Sequence, residues 1–360
     1  MRLETTSAPE RSTDASLKDA PPMRDCLSML DELTKILVCP TCHGALDWRG
    51  SQRVSHRIVE GKATCSVCRA SYPIYDGICA FLPSHSTPED LWEQADREIA
   101  EFLKDEPVRA RRLMGAPLES LSPTDMLVRG FVHEARQEFG AAKTAVDRAV
   151  EGMYTPEYLS ASKSQIQFVR ERLVGRTGLV VDLASGRGSL LEVLLPGASQ
   201  EFVGTDVSPR VLLRDRRFFD SLGLGSKLSL LAFDARHIPF ANHSVPTLVT
   251  NVGLANIENP GTLLRELRQA VTGEFLAISI FYPETEGPNA DMIRQLNLAP
   301  LLYRRSAVQE FEKAGFSVQV SNSILARARP TPPGVIMHEV RPDRLPVVET
   351  ELECCTLVAT

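Results

Sequence analysis

The sequence is short of three things, and each shortage narrows the function. No apolar run approaches the ~18 residues needed to cross a bilayer, so a helical membrane span is not expected. The first 22 residues hold Ser, Thr, Pro and charge without an apolar stretch, which reads as a disordered N-terminus (1–24) and not a secretory leader. A cytoplasmic address follows. Basic charge is also scarce: 40 Lys and Arg stand against 46 Asp and Glu, a formal charge of −6. Wholesale nucleic-acid binding favours the opposite balance. The 43% hydrophobic and 24% charged content suits a globular protein, and 360 residues suggest two domains with linkers.

A glycine turn carries the chemistry. Leu179-Val-Val-Asp182 is a short β-branched run ending in an acid, and Leu-Ala184-Ser185-Gly186-Arg-Gly188 follows directly. A second run, Phe202-Val-Gly-Thr-Asp206, ends in another acid 24 residues later, with Val207 next. A doubly wound sheet places an adenosyl cofactor over the carboxyl ends of its first two strands in this way. Glycine lets the backbone approach the ligand with no Cβ in between, and Asp206 can hold the two ribose hydroxyls. A dinucleotide site would show Gly-x-Gly-x-x-Gly, but Ser189-Leu190-Leu191 follows Gly188 and the third glycine is missing.

The series resembles class I S-adenosylmethionine-dependent methyltransferases, whose loop is acid-x-Gly-x-Gly-x-Gly; here Ala184 replaces the first glycine. The resemblance implies that Asp234, after the run Leu228-Ser-Leu-Leu-Ala-Phe233, faces the adenine amino group and that the backbone of Ala235 faces the ring. A fourth strand is expected over Thr247-Leu-Val-Thr-Asn251-Val252, and the resemblance implies that Asn251 is among the cofactor-binding residues. The expected fold is α/β, a seven-stranded Rossmann-like sheet over 161–360, with strands near 275–280, 316–320 and 352–359. A capping box, Ser306-Ala-Val-Gln309, is expected to open the helix before the sixth of these strands.

Cysteine gives the second signal. Cys39-Pro-Thr-Cys42 and Cys65-Ser-Val-Cys68 are two knuckles with 22 residues between them, the ligand spacing of a zinc ribbon. A redox pair or two disulfides would use the same residues, but the matched second knuckle and a reducing compartment favour Zn²⁺. Four thiolates leave no open coordination position, so the metal is structural. With Tyr72-Pro73-Ile74 and Asp76-Gly77-Ile78 behind it, the segment from about 35 to 83, within an expected zinc-ribbon domain of 25–83, resembles the zinc-ribbon family of methyltransferase activators. His43 and His56 are spare donors, and Arg49, Arg53 and Arg57 are a thin basis for RNA contact.

Between these parts, 84–160 reads as helical linker or lid. Thr87-Pro88, Ser122-Pro123 and Thr155-Pro156 each place a capping hydroxyl before proline. Leu91, Ala95, Ile99 and Phe102 recur at helical spacing. The loop after strand four lacks the Asn-Pro-Pro-Tyr motif of adenine and glutamine N-methylation and has no nucleophilic Cys. By position in the resembled fold, Glu258, Tyr282 and Tyr154 are the candidates at the reacting end. The reading is a methyltransferase for a small-molecule acceptor. An RNA or protein methyltransferase whose ribbon touches its substrate, or a non-catalytic adapter, are the alternatives. A Pro-rich insertion, 329–346, is either a substrate loop or a connection.

Overall fold

The computed structural model describes residues 28–82, 91–257 and 259–360. The stretch 1–24, Cys26, the helix start at 87–90, Glu258 and the side chains of Leu91 and Ala95 lie outside the described residues. Five strands come first: β1 (Met29–Leu30), β2 (Leu46–Val54), β3 (Arg57–Cys65), β4 (Ser71–Tyr75) and β5 (Ile78–Phe81). Five helices follow: α1 (Leu91–Asp105), α2 (Pro107–Gly115), α3 (Pro123–Ala135), α4 (Phe139–Met153) and α5 (Pro156–Leu173). An alternating block comes next, with β6 (Leu179–Asp182), α6 (Ser189–Leu194), β7 (Glu201–Asp206), α7 (Pro209–Ser221) and β8 (Leu228–Phe233). It continues through β9 (Val245–Asn251), α8 (Pro260–Ala270), β10 (Val271–Phe281), α9 (Pro288–Gln295), α10 (Ala299–Leu302) and α11 (Arg304–Lys313). Two long strands, β11 (Val318–Ala328) and β12 (Thr350–Ala359), end the chain.

The Rossmann-like sheet runs β8-β7-β6-β9-β10-β12-β11. β6 to β10 are parallel, and β12 lies antiparallel between β10 and β11. β8 is buried along all six residues, as a strand covered on both faces requires.

The strand count departs from the seven expected. The ribbon does not sit apart from the sheet but extends it: β5 pairs in parallel with β8, from Ile78 against Leu230 to Phe81 against Phe233, in one sheet of twelve strands. The physical cause is the open edge of β8, whose N–H and C=O groups need a partner. One apolar core joins Met29, Ile58 and Ile74 of the ribbon to Val203, Leu231 and Phe240. Arg57 is turned into this junction, donating to the carbonyls of Ser28 and Leu228 and pairing with Glu201 at 3.1 Å.

Helix starts at Ser122 and Thr155 follow the expected chemistry, each side chain accepting from the amide three residues on with Pro at the first helical position. Ser306 does not open a helix. α11 starts at Arg304, because α10 leads almost directly into it and the Ala307 amide donates to the Tyr303 carbonyl. β11 also runs well beyond 320, through a register shift between Ser321 and Ile324.

The insertion 329–346 forms a strap back to the helical block. Asp125 of α3, fully buried, accepts from the amides of Val335, Ile336 and Met337 at 2.9, 3.0 and 2.8 Å. No helix among the described residues is long and apolar enough to cross a membrane.

Candidate functional site

The sulfurs of Cys39, Cys42, Cys65 and Cys68 all lie within 4.8 Å of one another, with Cys39–Cys68 at 3.6 Å and Cys42–Cys65 at 3.5 Å. A disulfide needs ~2.05 Å, whereas Zn–S bonds of ~2.3 Å in a tetrahedron set sulfurs ~3.8 Å apart. The donor set fits the ion. Each knuckle reverses sharply after its second cysteine, at His43 (φ 56°) and Arg69 (φ 64°). The reversal aims the amides of Val67 and Cys68 at Cys65 Sγ, both 3.4 Å away. The Tyr72 hydroxyl lies 3.1 Å from Cys39 Sγ, placed to donate to a thiolate. His43 and His56 are not part of the cluster.

The glycine loop leaves β6 where the strand order reverses, between β7 on one side and β9 on the other. Ala184 (φ 51°), Gly186 (φ 54°) and Gly188 (φ 70°) are all left-handed. At Gly188 a Cβ would stand 2.8 Å from the Phe219 ring. Backbone amides fasten the loop to the end of β7: Ser185 to the Thr205 carbonyl at 2.7 Å and Gly186 to Asp206 Oδ2 at 3.1 Å. The other Asp206 oxygen accepts from the Ser208 amide at 2.9 Å, just past Val207.

Asp182 is 1% exposed, and neither of its carboxylate oxygens has a hydrogen-bond partner among the described residues. Burial first, and then the charges of Asp215 and Asp206, push its carboxyl well above the usual range. Asp234 behaves in the opposite way. Burial would raise it, but Arg236 at 2.6 Å and the Arg236 amide at 2.9 Å outweigh that and hold it low. Ala235 packs half-buried beside it. Asn251 Nδ2 is 3.4 Å from Ser189 Oγ. The next residue, Val252, is β-branched at φ 59°, a strained conformation of the kind that collects at functional loops. The expected cofactor residues therefore all lie at the carboxyl ends of β6 to β9.

Helices α1 and α3 rest on this loop and its neighbours. Glu134 of α3 is ion-paired with both Arg187, between the two glycines, and Arg214 of α7. The Arg187 guanidinium stacks over Phe131 at 4.1 Å. From α1, Glu93 accepts from the Ser208 hydroxyl. Sequence reasoning missed these pairs, since nothing local to Glu134 marks a partner 53 residues away.

Beyond the end of β10, the structure brings together two of the three residues expected at the reacting end. Tyr154 donates to Asp343 Oδ2 at 2.9 Å, its ring lies 5.3 Å from that of Tyr158, and Tyr282 joins Tyr158 in one apolar cluster. Asp343 comes from the strap and had no sequence signal beyond lying in the insertion. Next to Tyr282, a cavity of about 20 Å³, room for one water, is lined by Val252, Ala255, Ser279, Ile280, Leu302 and Phe311.

Comparison with known proteins matches 31–77 to the family of Trm112p-like proteins and 180–273 to a methyltransferase domain. Among solved structures, the YcgJ protein of Bacillus subtilis is 13% identical, covering 55% of this chain and 97% of its own, with TM-score 0.44. A SAM-dependent methyltransferase of Aquifex aeolicus is 16% identical over 57% of this chain and 93% of its own, TM-score 0.38. Phosphoethanolamine N-methyltransferase 2 of Haemonchus contortus is 15% identical over 44% of this chain and 38% of its own, TM-score 0.39. No curated protein matches the chain. One part of the chain, 31–77, is thus similar to Trm112p-like proteins and another, 180–273, to a methyltransferase domain.

Proposed function

We propose that this protein is a cytoplasmic enzyme that methylates a small molecule held under its helical lid. The observation that supports cofactor binding most is Asp182. Among the described residues no donor reaches its buried carboxylate; a carboxylate left so is costly, and a ligand bearing an ammonium group, as S-adenosylmethionine does, supplies a partner. Asp206 and Asp234 offer further acceptors for ribose and adenine groups, and the loop of Ala184, Ser185, Gly186 and Gly188 leaves room for the ligand's backbone-facing side. Val207, Ala235 and Asn251 complete the wall. When bound, the cofactor contributes an electrophilic methyl group. The chain's part is orientation: a nucleophile held near the methyl in a closed cleft accounts for much of such a rate. Arg187, Glu134 and Phe131 keep α3 seated over the loop and exclude water. Tyr154, Tyr282 and Asp343 mark the acceptor side.

A small acceptor is favoured over RNA because the three arginines of the ribbon hairpin are already paired within the chain. Arg57 is half-buried in the junction and pairs with Glu201, Arg53 pairs with Asp31 at 2.5 Å and Arg49 with Asp47 at 3.2 Å. The Cys39, Cys42, Cys65 and Cys68 site, loaded with Zn²⁺, has a structural part only. Methyl-labelled S-adenosylmethionine incubated with the protein and a cell extract tests this reading. Label is expected in the small-molecule fraction. Label in RNA or protein would overturn the choice of acceptor, and no label in any fraction would leave a non-catalytic adapter.

A further inference from the structure

The strap delivers a carboxylate to a place where it has no cationic partner. Among the described residues no Lys, Arg or His pairs with Asp343; its hydrogen bond is to Tyr154. Burial pushes its carboxyl up, and the Tyr154 hydroxyl only partly offsets this. Three tyrosines gather near it. Tyr154 and Tyr158 lie ring against ring, and Tyr282, 8% exposed, sits behind Tyr158. The same burial, with Asp343 as a neighbouring charge, raises all three phenols, so they stay neutral at physiological pH. Tyr154, Tyr158 and Asp343 are each only partly buried.

Phenol faces are electronegative and attract cations. A desolvated carboxylate attracts a cation and repels an anion. Neither feature suits an acidic or phosphate-bearing group at this end. This cluster, from α4, α5, β10 and the strap, also adjoins the strained turn at Val252, through Ala255 and Ile280.

We infer that Tyr154, Tyr158, Tyr282 and Asp343 form a box for an ammonium group and that the methyl acceptor is an amine. The inference rests on the methyltransferase reading above and deepens it. The amine enters as its ammonium form and gives one N–H proton to the Asp343 carboxylate. Its freed lone pair bonds to the methyl carbon as the carbon–sulfur bond breaks toward sulfur. A methylated ammonium product results, and the proton on Asp343 is released to water.

The test uses the full chain and two probes of the same shape, choline and its uncharged isostere 3,3-dimethylbutanol, with binding followed by saturation-transfer NMR. Binding of S-adenosylmethionine is titrated in parallel. Choline is expected to bind and the alcohol not. Asp343→Asn should weaken choline by ~10-fold or more, equivalent to ~1.4 kcal/mol, while cofactor affinity holds. Tyr158→Leu should weaken it too and serves as the second variant if Asp343→Asn does not fold. Equal binding of the two probes, or choline binding indifferent to both variants, overturns the amine box. Loss of cofactor binding in the unaltered chain would instead strike the methyltransferase reading, leaving the box to be judged on choline alone.

Discussion

Asp125→Ala should unfasten the strap. Asp125 is fully buried and accepts from Ser122 Oγ and three consecutive amides, those of Val335, Ile336 and Met337. Val335 is exposed and its amide can turn to water, but Ile336 and Met337 are buried. Each of those two amides left unpaired costs ~1–3 kcal/mol. With the lost helix-start contact at Ser122, the total is ~3–5 kcal/mol, typical of a broken buried network. If the strap unfolds with the rest, the melting temperature falls on the order of 5–10 °C. If it unfolds alone, amide exchange at 335–337 accelerates while the global transition moves little.

The pH dependence of that gap has a definite sign. Burial would raise the Asp125 carboxyl, but the bonds from Ser122 and the three amides outweigh it and hold it below the usual range. A depressed carboxyl contributes its stability in full above the unfolded-state value of ~3.9, and that contribution is lost as pH falls through the lower folded value. The difference between the unaltered chain and Asp125→Ala should therefore be constant at neutral pH and shrink below about pH 4. An unchanged exchange pattern at 335–337, together with an unchanged melting curve, would refute the strap argument.

Four other perturbations bear on the same account. Zinc chelation should raise amide exchange in β7 and β8 as well as in 31–77, because structural zinc contributes on the order of 10 kcal/mol to a ribbon that shares its core with the sheet; exchange confined to the ribbon would contradict the shared core. Asp206→Ala removes the acceptor for the Gly186 and Ser208 amides and should lower S-adenosylmethionine affinity by ~10-fold or more in calorimetry, about 1.4 kcal/mol, whereas undiminished affinity would remove Asp206 from the site. Ala184→Gly should raise stability by ~0–1.5 kcal/mol in denaturant unfolding, since relief of ~1–2 kcal/mol at φ 51° is partly offset by glycine's ~0.5–1 kcal/mol extra unfolded-chain entropy. Glu134→Ala leaves Arg187 and Arg214 without their shared carboxylate and should cost ~3–5 kcal/mol, read as a lower melting temperature and a faster cofactor off-rate.

Much of the sheet was legible because its signals are local. Asp182 and Asp206 end their strands where the alternation of apolar run and acid placed them, and Ser122 and Thr155 cap their helices through the residues beside them. The two knuckles were equally plain, since four sulfurs on two short turns need only the spacing. What stayed hidden depends on distant partners. The fusion of β5 to β8 joins residues 152 positions apart, and no periodicity in Ile78-Cys-Ala-Phe81 names the strand it will pair with. Asp343 reaches Tyr154 on a strap that Asp125 anchors through three non-local amide bonds. Ser306 misled for the converse reason: a correct local motif was overridden by α10 already setting the helix start at Arg304.

The central claim is that the glycine loop holds S-adenosylmethionine and not a dinucleotide. Calorimetric titration of the full chain with S-adenosylmethionine, S-adenosylhomocysteine and NAD decides it most directly. The account predicts saturable binding of the first two at one shared site per chain and no heat with NAD. Binding of NAD, or of none of the three, would contradict it.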